Sequence, residues 1–184
     1  HAFQDKISRA LMEAWVWLER EGMLAPKPGE QGGWVFITRR GKKLTTAEDL
    51  LNYRQANLLP RKLLHPRISQ KVWATFLRGD HDTAVFQAFK EVEVRVREAG
   101  SFPDTKIGID LMRDAFKATS GKLANQSAAT AEQEALAHLF AGAIGSYKNP
   151  HSHRNVEIEA QEAVEMIVLA SHLLGIVDRR PSTP

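Results

Sequence analysis

Two long stretches with apolar residues at helical spacing, residues 130–147 and 156–177, are separated by one short polar stretch containing Pro150. In the first, Ala135, Leu136, Leu139, Phe140, Ala143, Ile144 and Tyr147 recur at helical intervals. In the second, Ala160, Ala163, Val164, Ile167, Ser171 and Leu174 do the same. A helix with an apolar stripe must bury it against another element. Pro150 cannot donate a backbone hydrogen bond and drives Asn149 out of helical geometry, so the first helix is expected to stop there. Asn155 is a suitable N-cap for the second, with Glu157 and Glu159 on its first turn. So short a connection favours an antiparallel helical bundle. Ala141, Gly142, Ala143 and Gly145 allow close approach, which suits a helix at the centre of its bundle or facing a partner chain.

The preceding segments are also helical in pattern. Ile68, Val72, Trp73, Phe76 and Leu77 form one stripe that ends at Gly79. Asp80 or Asp82 can cap the next helix, in which Val85, Ala88, Phe89, Val92, Val96 and Ala99 share a face up to Gly100. Its other faces carry Lys90, Glu91, Glu93, Arg95, Arg97 and Glu98. Most of these are expected in solvent, and one or two can lean toward a site. Leu111, Met112, Ala115 and Phe116 suggest a short helix, and the polar run 119–130 reads as a mobile connection.

Residues 1–59 have a different character. A helix over 3–21 carries Phe3, Ile7, Ala10, Leu11, Ala14, Trp15 and Leu18 on one face and stops at Gly22. An extended piece at 23–25, a turn-rich loop at 26–33 and a strand over 34–38 follow. Thr46, with Glu48 and Asp49 after it, can cap a helix to about Ala56. This order is that of the second half of a winged helix, and the run from Phe36 to Leu44 resembles a last wing strand and helix start. Arg39, Arg40, Lys42 and Lys43 would then line a wing able to meet nucleic acid. A wing used only for protein packing is the alternative. Residues 57–66, bracketed by Pro60 and Pro66, read as a polar linker. The expectation is a mainly α chain: a small partial winged-helix-like α+β module over 1–59 and a helical bundle over 60–180.

Cysteine is absent, which excludes disulfides and thiolate chemistry. No uninterrupted apolar run approaches the roughly 18 residues of a membrane span. With no signal peptide visible, a cytoplasmic protein with no membrane partner is the default. The chain begins at His1 rather than Met, as a processed or truncated piece would. Residues 1–67 carry 12 Lys and Arg against 7 Asp and Glu, so the N-terminal part is the more basic one.

The polar stretch from Ser146 to Arg154 holds two histidines, two cations and an amide within nine residues. Three chemistries fit it. Cleavage of RNA needs a base for the 2′-hydroxyl proton, a cation for the charged phosphorane and an acid for the leaving oxygen. An imidazole titrates near neutrality, and Lys148 or Arg154 supplies the cation. The 2′-hydroxyl limits such a site to RNA. Metal binding by His151, His153 and His138 is the second, though the two-residue step is not a common zinc spacing. Phosphate binding without reaction at the start of the last helix is the third.

Lys148-Asn149-Pro150-His151-Ser152-His153 resembles the signature of the HEPN superfamily, in which an arginine, a polar residue and, a few positions on, a histidine lie between the last two long helices of a bundle. The wider context is similar to bacterial HEPN proteins of the Ymh type, some of them CRISPR-adjacent. It is carried by Leu64-His65-Pro66, Phe76-Leu77-Arg78-Gly79, the run from Ala84 to Glu93, Leu111-Met112, Leu139–Ala143 and Ser171–Leu174, and covers residues 62–178. The resemblance implies a metal-independent endoribonuclease with no cofactor. It implies a homodimer through the bundle whose two motifs share one cleft, and a place in toxin–antitoxin, abortive-infection or other antiphage systems. His153 would be the catalytic imidazole, Lys148 the phosphate-stabilising cation and Asn149 the orienting residue, with His151 and Arg154 in support. The departure is Lys148, where the family pattern has arginine. Lysine offers a point charge in place of a planar fork.

Two functions are therefore expected from the sequence. One is an RNA-cutting dimer. The other is a non-catalytic HEPN and winged-helix module that binds DNA or a protein through residues 34–43 in a defence complex. His65, His81, His138 and His172 are expected as ordinary side chains, with His138 the one able to line a cleft. The four tryptophans are expected in the core rather than as base-stacking platforms.

Overall fold

The computed structural model describes residues 2–30, 32–148 and 157–180. Helix α1 (Ala2–Arg20) leads to strands β1 (Leu24–Pro26) and β2 (Val35–Ile37), a 3-10 turn at Gly41–Lys43 and α2 (Ala47–Leu58). A second 3-10 turn, Arg61–Leu63, precedes α3 (Lys71–Leu77), α4 (His81–Ala99) and α5 (Gly108–Ala115). Helix α6 (Thr130–Ala143) widens into a π-turn at Ile144–Lys148, and α7 spans Ala160–Asp178. The chain is mainly helical with one small sheet, and it divides into two compact units between Tyr53 and Arg54.

In the first unit, Gly22 takes the left-handed conformation that ends α1. The antiparallel strands pair Leu24 with Ile37, Ala25 with Phe36 and Pro26 with Val35. The turn after β2 is tied back to the end of α1: Thr38 Oγ1 donates to the Gly22 carbonyl at 2.7 Å, and Arg40 to the Glu21 carbonyl at 2.8 Å. Helix α2 opens on the reciprocal cap expected of Thr46. The Asp49 amide donates to Thr46 Oγ1 at 3.0 Å, and Asp49 Oδ2 accepts the Thr45 and Thr46 amides, each at 2.9 Å. Those donors, led by the Thr45 amide, hold the Asp49 carboxyl below its ordinary range.

The apolar stripe of α1 is not buried. Phe3, Ile7, Leu11 and Trp15 stay exposed, as does Trp34 at the start of the hairpin. Two of the four tryptophans expected in the core are therefore at the surface, because so small a sheet has too little area to cover a helix face.

The core of the second unit is built around α4, whose Val85, Ala88, Phe89, Val92 and Val96 are fully buried. It packs most extensively on α7 and also meets α3, α5 and the π-turn. The hub is thus α4 rather than α6, whose main partner is α5. On α7, Ala163, Ile167, Ala170, Leu173, Leu174 and Val177 are buried in this core. By length and composition alone Ala160–Asp178 could cross a membrane, with a mean hydropathy of 1.4. Its apolar face is what holds the bundle together.

Three local expectations change. Residues 57–66 are not a solvated linker, since Leu59 and Leu64 belong to the core. The Trp73 indole donates to the Leu59 carbonyl at 2.9 Å, and Ser171 Oγ accepts the His65 amide at 2.7 Å. The run 119–130 is tied down by Gln133, whose side chain accepts the Thr119 amide at 2.8 Å and donates to the Ala128 carbonyl at 2.9 Å. Leu123 is buried beneath it. The last helix begins at Ala160, with Glu159 in the N-cap position, and not near Val156. Just before it, the Ile158 carbonyl lies 3.2 Å from His81 Nδ1. The expected cap, Asn155, lies outside the described residues, as does the stop at Pro150.

Candidate functional site

Each residue of α6 advances the chain by one helical step until the π-turn adds an extra residue. Such widened turns recur at functional sites because they re-aim the side chains that follow. Two side chains seat this one. Ile144 is fully buried, and the Tyr147 ring lies 5.3 Å from that of Phe89 on α4. Gly145 lets the turn approach α5, since a Cβ there would sit 3.0 Å from Ile109 Cδ1.

The turn carries Lys148 to Glu93. The ammonium lies 3.1 Å from Glu93 Oε2, and both side chains are largely withdrawn from water, at 15% and 6% exposure. The same carboxylate accepts the Gly108 amide at 2.7 Å and Arg97 Nη2 at 3.1 Å. Arg97 also donates through Nε to the Lys106 carbonyl at 3.0 Å. A buried carboxylate is tolerable only when charge and hydrogen bonds compensate its lost hydration, and here three donors do so. Glu93 therefore fixes three things at once: the start of α5, the guanidinium of Arg97 and the ammonium of Lys148. Two cations on one carboxylate leave a net positive charge of one.

Of the residues singled out from sequence, Lys148 is placed in this cluster. Asn149, His151, His153 and Arg154 lie outside the described residues. The flanks of that stretch are anchored on both sides: Lys148 by Glu93, and Ile158 by His81. The His81 ring rests on Phe76 at 5.1 Å, and its Nε2 is buried without a partner among the described residues. His138 is exposed and lines a groove of about 660 Å³ between α5 and α6, together with Arg113, Lys117, Glu134 and Ser146. His172 is exposed on α7, and His65 Nε2 is 2.8 Å from Asp178 Oδ2. Among the described residues, no group of His, Asp and Glu converges as metal ligands.

The four cations expected on the wing do not act alike. Arg39, Lys42 and Lys43 are exposed. Arg40, though exposed, spends one guanidinium nitrogen on the end of α1. It is part of the turn's structure as well as of its charge.

Glu93 and Arg97 are the members that sequence reading did not single out. The signal was present. Glu93 stands four residues after Phe89 and beside Val92, at the edge of the buried stripe, and Arg97 follows at the next turn, where opposite charges meet on a helix.

No curated protein and no solved structure shows a significant match to the chain. A family model described as "Protein of unknown function (Hypoth_ymh)" matches residues 62–177, from the turn before α3 to the end of α7. That span contains every element of the helical core, and the chain belongs to the Hypoth_ymh family.

Proposed function

We propose that this protein is a metal-independent endoribonuclease of the HEPN type, cutting single-stranded RNA as an effector in phage defence. The observation that carries the reading is the buried Glu93 holding Lys148 at the doorstep of the stretch with Asn149, His151, His153 and Arg154. A cation that must stabilise a phosphorane is most useful when its position is set before substrate arrives.

In this reading, the imidazole of His153 takes the proton from a ribose 2′-hydroxyl. The freed oxygen attacks the adjacent phosphorus. Charge gathers on the non-bridging oxygens, where Lys148 stabilises it. The bond from phosphorus to the 5′-oxygen breaks as that oxygen takes a proton from solvent water, and a 2′,3′-cyclic phosphate remains on the upstream fragment. Asn149 orients the group, with His151 and Arg154 as further contacts to RNA. No cofactor takes part. A homodimer through the bundle would bring two such stretches to one cleft.

The test is a labelled single-stranded RNA incubated with the protein in excess chelator. Cleavage is expected to persist in chelator, and His153→Ala should lower the rate by about 10²- to 10⁴-fold, the usual worth of a positioned acid or base. Intact RNA at high protein concentration would end the proposal.

One observation favours a second reading. The Lys148 charge is already shared with Glu93, so a phosphate must compete with a carboxylate at 3.1 Å. A non-catalytic HEPN and winged-helix module, binding nucleic acid or a protein in a defence complex, would tolerate this. It would hold DNA or a partner through Arg39, Lys42 and Lys43, independently of His153.

A further inference from the structure

We propose that the groove between α5 and α6 is a binding track for the sugar–phosphate backbone of a single RNA strand, leading to Lys148; it rests on the ribonuclease reading above and adds Arg113 and Lys117 to its substrate contacts. The two helices run past each other in opposite senses. Ile109 faces Gly145 at one end, and the Thr119 amide bonds Gln133 at the other. Lys148 belongs to the first end, because Glu93 joins it to the Gly108 amide. Arg113, on α5, and Lys117, two residues past its C-terminal end, follow along the other wall, four and eight residues on from Ile109.

A four-residue step is a rise of about 6 Å. Arg113 thus sits one phosphate step of an extended strand along α5 from Ile109, which faces the π-turn that carries Lys148, and Lys117 lies beyond it on the same wall. The groove runs from Glu134 to Ser146 along α6, roughly 18 Å, room for about three nucleotides of an extended strand. Its floor is small: Ala137, Ala141, Gly142 and Gly145 leave it open, and a Cβ at Gly142 would touch nothing within 4 Å. Arg113 is only loosely committed, 3.9 Å from Asp110 with 69% of its side chain exposed. Glu134 supplies the opposing charge at the end far from Lys148. A backbone approaching from that end gains attraction as it nears the site. His138, in mid-groove, offers a flat ring and a polar edge to one base.

The experiment measures anisotropy of a fluorescein-labelled 2′-O-methyl uridylate 12-mer, which cannot be cut, over a salt series, with RNA cleavage followed in parallel. Arg113→Glu with Lys117→Glu should weaken binding about tenfold or more, and Arg113→Gln with Lys117→Gln should lower the salt slope by about 1.4, the value for two phosphates on a single strand. Lys6→Glu with Arg9→Glu, the same change of charge in the other unit, should leave affinity within twofold. A polyglutamate peptide of equal charge should not compete.

Unchanged affinity and slope in both groove variants, while the parent protein binds and cuts, would overturn the track and leave the ribonuclease standing. Binding through the groove without any cleavage would sink the ribonuclease and keep the track. An equal loss in the control pair, competition by polyglutamate, or no RNA binding by the parent protein would each overturn the track.

Discussion

Removing the Glu93 carboxylate tests the centre of the site most directly. Glu93→Ala takes one acceptor from three donors at once: the Gly108 amide and two cations that are each only 15% exposed. Breaking a buried ion pair by deleting one partner costs about 3–5 kcal/mol. For a unit of this size 1 kcal/mol moves Tm by about 3–5 °C, so a fall of roughly 10–20 °C is expected. Glu93→Gln keeps the shape and one acceptor and should cost about 1–3 kcal/mol. Thermal and urea unfolding followed by circular dichroism give both values. Combining Glu93→Gln with Lys148→Met closes a double-mutant cycle, in which a coupling of about 0.5–3 kcal/mol is expected for residues in one network. A Glu93→Ala protein melting within about 2 °C of the parent, or a coupling near zero, would refute the claim that Glu93 pins Lys148.

Further outcomes follow from other parts of the structure. The Arg95 hydrogen bond, with a second contact from His65, holds Asp178 below the ordinary carboxylate range, and the Arg67 hydrogen bond does the same for Glu98. A depressed carboxyl adds stability that is complete above its unfolded pKa of about 4 and is lost as pH falls through its folded value. Asp178→Asn should therefore flatten the acid limb of a stability–pH curve; since the carboxyl is 40% exposed, the effect is screened and small. Gly121→Ala should destabilise by about 1–3 kcal/mol, because its Cβ would lie 2.4 Å from the Lys117 amide nitrogen and 2.6 Å from the Ala115 carbonyl oxygen. Gly142→Ala, on an open helix face, should instead stabilise by about 0.5–1 kcal/mol, read as a small rise in Tm. Under the binding-module reading, Arg39→Ala with Lys42→Ala and Lys43→Ala should weaken duplex binding in gel shift without changing Tm, whereas Arg40→Ala should lower Tm by losing its bond to the Glu21 carbonyl.

Much of the helical core was legible beforehand because burial follows a period. Every position from Val85 to Ala99 assigned to the inner face of α4 is buried, and α7 uses the stripe read from Ala163 to Leu174. The Thr46–Asp49 cap was legible because it is a local pattern whose partners lie within one turn. The ordered 119–130 loop was not, since composition reports polarity and says nothing of one distant glutamine, Gln133, bonding both its ends. The exposure of the α1 stripe was not legible either: periodicity states that a face is apolar, not that anything covers it.

The sequence by itself determined which residues form helices, where their apolar faces point and which short polar stretch interrupts the two longest. These are consequences of spacing and capping, which act within a few residues. Only the tertiary structure decided that α4 is the hub, that the π-turn hands Lys148 to Glu93, and that Arg113 and Lys117 line the groove opposite α6. Those pairings join residues far apart in the chain, and they arise because a buried carboxylate draws to itself whatever donors packing brings within reach.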